Sequence, residues 1–142
     1  MIENFSYYIE NKMVKKQVVD IDYAESLIKK AENRLIYIKK QKIEHSSSSF
    51  VFEDVYECMR EAIQSLMALK GFKPYSHEAV ISFLKEFFDF GEDTISTLNR
   101  YRILRNKAVY NAKKISVLTC REAIDFLIEF IPKIKKKFNK ER

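Results

Sequence analysis

Only two glycines and two prolines interrupt 142 residues. Sheets and glycine-rich phosphate loops need tight turns, so this scarcity calls for helices joined by few connections. A hydrophobic content of 46% with 32% charged residues suits a globular chain that buries a core of its own. The expected fold is all-α: a single up-and-down helical bundle of about five helices over residues 20–138. An N-terminal arm or short helix over 1–19 precedes it, and a basic C-terminal tail over 139–142 follows. No apolar run approaches the roughly 20 residues that span a bilayer, so no membrane partner is expected. The opening Met1-Ile2-Glu3-Asn4-Phe5 lacks the basic start and apolar core of a signal peptide, which predicts a cytoplasmic protein.

Periodicity places the helices. Asp22-Tyr23-Ala24-Glu25 reads as a capping box, opening a helix to about Lys42 with Ala24, Leu27, Ile28, Ala31, Leu35 and Ile38 on one face. His45 and Ser46–Ser49 form the break. A second helix runs from Phe50 to Lys70 and stops at Gly71. Its apolar face covers about half the circumference, as expected of a central helix. Ser76 caps a third helix over His77–Phe90, Gly91 breaks it, and a fourth spans Glu92–Lys113. Thr119-Cys120-Arg121-Glu122 is a second capping box, with Ser116 as a competing earlier cap, for a last helix reaching Phe138. Pro132 falls inside that helix and is expected to kink it.

Several chemistries find no support. Cys58 and Cys120, the only cysteines, sit in apolar helical patterns and read as buried free thiols. His45 and His77 are far apart, and no His-x-x-x-His or Glu-x-x-His spacing occurs, so neither a metal nor a cofactor is expected. Five lysines and Arg142 against Glu141 give residues 133–142 a net charge of +5, leaving +1 for the remainder. Most of the chain's basicity is thus a helix end, favoured by the helix dipole and by solvation.

Chemistry concentrates in Arg100-Tyr101-Arg102-Ile103-Leu104-Arg105-Asn106-Lys107-Ala108-Val109-Tyr110. At helical spacing Arg102, Asn106 and Tyr110 form a polar ladder. Arg105 lies beside it, near the middle of an apolar arc shared by Leu98, Tyr101, Ala108, Val109 and Ala112. A guanidinium is almost never buried alone, so Arg105 is expected against something anionic. One reading is a cleft for phosphate or an acidic partner, since arginine offers planar bidentate donors. The other is an interior brace, Arg102 or Arg105 paired to Glu61 or Asp54 of the second helix. Two further groups stand out. Tyr56 and Arg60 are spaced to stack, or simply to border a packed helix. His77, beside Tyr75 and Ser76, reads either as a general base or as an incidental exposed histidine next to a cap, and the lack of an adjacent nucleophile in sequence favours the second. Phe83, Phe87, Phe88 and Phe90 read as core or as an oligomer interface.

Arg105-Asn106-Lys107-Ala108-Val109-Tyr110, near the end of the fourth helix, resembles the signature segment of the HEPN superfamily (higher eukaryotes and prokaryotes nucleotide-binding). Val55–Ile63 and Gly71–Ile81 resemble the second helix and following turn of its small prokaryotic members, and the likeness spans about residues 20–138. The resemblance implies an all-helical homodimer. It implies either a metal-independent ribonuclease or a toxin–antitoxin partner of a minimal nucleotidyltransferase. Arg105 matches the motif arginine and Asn106 the polar residue after it. The family histidine would fall at 110–112, where this chain has Tyr110, Asn111 and Ala112. Histidine titrates near neutral pH and tyrosine near 10, so Tyr110 is a poor general base.

Three functions follow. The first is a non-catalytic HEPN-like homodimer binding nucleotide, RNA or a partner protein through Arg102, Arg105, Asn106 and Tyr110. The second is a ribonuclease with a degenerate site, Arg105 stabilising charge on phosphorus and Tyr110 positioning the scissile group. The third is a purely structural module, its arginines bracing Asp54 and Glu61 and its surface docking a nucleotidyltransferase. The missing histidine favours the first.

Overall fold

A computed structural model describes residues 2–142. In chain order they form α1 (Phe5–Glu10), β1 (Val14–Lys16), α2 (Ile21–Lys39), α3 (Ser48–Leu69), β2 (Phe72–Pro74), α4 (His77–Phe87), α5 (Glu92–Tyr110) and α6 (Val117–Glu141). The protein is a helical bundle, with one helix beyond the expected five because the N-terminal arm contains α1. The helix α3 is the axis: α2 and α6 pack chiefly against it, and α4 and α5 close the other side. Its buried Val55, Met59, Ile63 and Leu66 recur every three or four residues, and full burial of such a side chain contributes about 1.5–3 kcal/mol. Among the described residues no helix is long and apolar enough to cross a membrane.

The helix ends correct the sequence reading where several polar residues compete. Asp20, not Asp22, caps α2, accepting the Tyr23 N–H at 2.9 Å. The helix α3 begins at Ser48 rather than Phe50, because the Ser48 hydroxyl is buried and donates to the Ile115 carbonyl at 2.6 Å. Ser76 caps α4 as expected, and Ser116 rather than Thr119 caps α6, accepting the Thr119 N–H at 3.1 Å. The helix α4 stops at Phe87, where Phe88 turns extended, and α5 stops at Tyr110, short of Lys113. Ala112 there adopts φ 52°, a left-handed conformation that no helix interior accommodates. The helix α6 passes through Pro132 and continues to Glu141, taking in most of the expected basic tail.

The structure adds a two-stranded antiparallel ribbon, with Val14 opposite Pro74, Lys15 opposite Lys73 and Lys16 opposite Phe72. The ribbon fastens the N-terminal arm to the α3–α4 turn. Gly71 makes that turn possible. Its φ is 78°, and a Cβ there would sit 2.7 Å from the Gln17 carbonyl oxygen, which only glycine avoids. Behind the ribbon, Phe5, Phe72, Phe83 and Phe87 meet edge-on, tilted or stacked, at centroid distances of 4.8–6.1 Å. Phe83 is core as expected, whereas Phe87 keeps an exposed edge.

Candidate functional site

The three polar groups singled out from sequence converge on one face. The helix α3 supplies Tyr56, Glu57 and Arg60, the first turn of α4 supplies His77 and Glu78, and α5 supplies Arg102 and Arg105. The Tyr56 ring is buried and lies 5.6 Å from the His77 ring, tilted by 43°. Burial pushes the Tyr56 hydroxyl up to about 12, against the opposing charges of Arg102, Arg105 and Arg60. It therefore stays a phenol, able to donate. Arg60 does not stack on Tyr56 but forks onto Glu57 through both Nε and Nη2. Burial acts to raise Glu57, yet the Arg60 fork, helped by Arg34 and His77, holds it below the usual carboxylate value.

His77 is half-buried, not exposed as its sequence position suggested. Its Nδ1 is enclosed without a hydrogen-bond partner among the described residues. Burial lowers its pKa, and the charges of Arg105 and Arg60 lower it further, with Glu57 opposing. The imidazole is consequently neutral near pH 7 and gains most by taking a proton when an anion arrives. Beside it opens a hollow of about 220 Å³ lined by Arg60, Gln64, Tyr75, Ser76 and His77. Sites that enclose a whole small ligand hold roughly 300–1,000 Å³. This one suits a single charged group, with the remainder of the ligand outside.

The expected braces are placed differently. Neither Arg102 nor Arg105 touches Asp54 or Glu61. Arg34 of α2 does: its Nε and Nη2 fork onto the Glu61 carboxylate at 2.8 and 3.1 Å, and its Nη1 reaches Asp54 at 3.3 Å. Lys30 adds a third contact to Glu61 at 3.3 Å. Arg102 is buried but pairs with the first turn of α4 instead, its Nη1 3.5 Å from Glu78, while its Nε donates to Asn99 at 3.0 Å.

Arg105 is half-buried, and the anion expected against it is not a carboxylate of this chain. Its Nη1 donates to the neighbouring Asn106 side chain at 3.3 Å, and its guanidinium lies 5.8 Å from the Tyr110 ring centroid. Of the four arginines Arg34, Arg60, Arg102 and Arg105, it alone makes no ion pair among the described residues. Tyr110 is 73% exposed at the end of α5, and the apolar arc is correspondingly shorter: Leu98 and Tyr101 are buried, while Val109 and Ala112 are exposed.

Arg34 is the residue that sequence reasoning missed. It lies in the charged stretch Lys29-Lys30-Ala31-Glu32-Asn33-Arg34, which reads as a solvated face. The available signal was its position three residues after the buried Ala31, on the edge of the apolar stripe. Cys58 and Cys120 are buried free thiols, pushed by burial up to about 12 and about 11, which disfavours the nucleophilic thiolate. Among the described residues no three His, Cys, Asp or Glu side chains gather as a metal centre requires. Compared with models of known families, with curated proteins and with solved structures, the chain matches none.

Proposed function

We propose that this protein is a non-catalytic, homodimeric HEPN-like bundle that binds the phosphate of a nucleotide or RNA at the hollow between α3 and the start of α4, with Arg105 of α5 adding its charge to the same face. The observation that carries the reading is Arg105, a half-buried guanidinium without a carboxylate, whose charge bears on a buried tyrosine and an unpartnered imidazole. Arg60, already forked onto Glu57, stiffens the other wall. Free backbone N–H groups at the start of α4 add donors for the same anion. Asn106 and Tyr110 fix the Arg105 head, and the charge of Arg102 bears on the same Tyr56 and His77. A nucleotidyltransferase docked on the same face is the protein-partner form of this proposal.

Isothermal titration with nucleoside mono-, di- and triphosphates and with short RNA tests it. Saturable binding is expected, weakened at least about tenfold by Arg105→Ala, since a lost charge-assisted pair is worth about 1.5–3 kcal/mol. The circular dichroism of that variant should stay native. No binding by any of these ligands, or undiminished binding by the variant, would defeat the proposal. Unfolding of Arg105→Ala would instead favour the brace reading.

The pH dependence has a definite sign. His77 titrates lower in the folded protein than its ordinary value of about 6.5, so below that value the unfolded chain takes up the proton first. Stability should therefore fall as pH drops below about 6.5, while affinity for an anion touching the imidazole should rise over the same interval. Urea melts and titrations at about pH 7.5 and 5.5 read both slopes, and His77→Gln should flatten them.

The ribonuclease alternative gains one point from the geometry, because the imidazole near Arg105 is His77 rather than any group at 110–112. Incubation of RNA with the protein in EDTA checks it. Cleavage lost in His77→Gln but kept in Tyr110→Phe would support catalysis and overturn the non-catalytic reading.

A further inference from the structure

A second feature lies away from the arginine face. The helices α2 and α6 both rest on α3 and touch each other little, leaving a seam between them. Two depressions of about 460 and 500 Å³ follow one another along it. The walls are apolar: Leu35, Ile36 and Ile38 on α2, Ile124, Ile128 and Pro132 on α6. Ile36 is 54% and Ile128 37% exposed, although both lie beside the core. From Arg121 to Asn139 the seam covers five turns of α6, about 27 Å at 1.5 Å per residue, which matches a helix of about 18 residues.

The rim is basic. Lys39 and Arg121 border one depression and Lys135 and Lys136 the other, against only Asp125 and Glu32. Glu32 is already held by Lys135 at 3.4 Å. Pro132 contributes a further irregularity. It has no N–H, so the Ile128 carbonyl loses its ordinary donor four residues on, beside the seam.

We infer that this seam receives an acidic amphipathic helix from a partner protein, laid antiparallel or parallel between α2 and α6. Leucine-type anchors at i, i+3, i+4 and i+7 fill the two depressions, and carboxylates along its flanks meet Lys39, Arg121 and Lys136. A polar anchor near its centre can donate to the Ile128 carbonyl. A second copy of this chain fits worse. A two-fold contact through the seam would set Lys39, Arg121 and Lys136 of one copy among those of the other, and like charges facing across an interface disfavour it.

The test uses the full chain and two synthetic 18-residue helical peptides, with identical leucine anchors but glutamates or lysines at the flanking positions. Fluorescence polarisation should show saturable binding of the acidic peptide. The lysine peptide should bind at least about tenfold more weakly, and salt should weaken the acidic complex. Ile128→Glu and, independently, the more exposed Ile36→Glu should each cost at least about tenfold for the acidic peptide while leaving the circular dichroism native. Absent binding, equal binding of the two peptides, or binding untouched by both glutamate variants would overturn the inference. So would sedimentation showing a dimer that Ile128→Glu converts to monomer, because the seam would then belong to a second copy.

Discussion

Phe83→Ala is expected to destabilise the protein by about 4 kcal/mol in urea unfolding, the largest effect of any single truncation considered. Phe83 is fully buried and stands among four other phenylalanines, with ring centroids 4.8 Å from Phe87, 5.7 Å from Phe5, 6.0 Å from Phe88 and 6.1 Å from Phe72. Those rings come from α1, β2, α4 and the turn after α4, so filling the void requires several elements to shift together. The cavity therefore persists, and its cost adds to the lost transfer energy. Phe87→Ala supplies the comparison. Its ring is 39% exposed, so water takes up part of the space, and its loss should stay near about 1.5 kcal/mol. Equal effects from the two variants would mean that the cluster collapses freely into the void.

The second large effect belongs to Arg34→Met, expected to cost about 3 kcal/mol at neutral pH. Glu61 is 1% exposed, and two of its three ionic contacts come from the Arg34 fork. Removing the fork strands a buried carboxylate with Lys30 alone. The figure is set at the low end of the range for broken buried pairs because the Arg34 side chain retains 24% exposure. Arg34→Lys should recover little, since an ammonium cannot fork onto both oxygens. Arg34→Met combined with Glu61→Leu should recover most of the loss, because the buried carboxylate is gone and the charges left behind, Asp54 and Lys30, reach water. A double variant as unstable as the single one would show that the stability came from packing of the Arg34 stem.

The helices were legible because apolar residues recur at helical spacing and so few breakers intervene. The broad stripe of α3 already marked the axis, and Gly71 marked its end. The ribbon was not legible. Its strands are three residues each, and Val14-Lys15-Lys16 carries no alternation beyond a single buried valine. Its stability comes from pairing with a segment almost sixty residues away. Helix starts failed where two caps competed, as with Asp20 against Asp22, because local spacing does not reveal which hydroxyl or carboxylate the fold leaves free.

The site was legible in pieces. Arg105, Tyr56 with Arg60, and His77 each drew notice alone, yet nothing in their spacing brings α3, α5 and the start of α4 together. The partner assignment for Glu61 failed for the same reason. A buried acid on a central helix has neighbours on both sides, and the cation came from α2 instead of α5.

The hydrogen-bond relay at the amino end bears on how this protein is handled. The Tyr8 hydroxyl accepts the Glu3 N–H at 3.0 Å and donates to Glu78 at 3.3 Å, while the other Glu78 oxygen faces Arg102. Deleting residues 2–13 would unlatch Glu78 and give the arginines a resident competitor for any incoming anion. Shortened versions should then understate affinity, and a fusion tag at the carboxyl end is the safer choice for ligand screening.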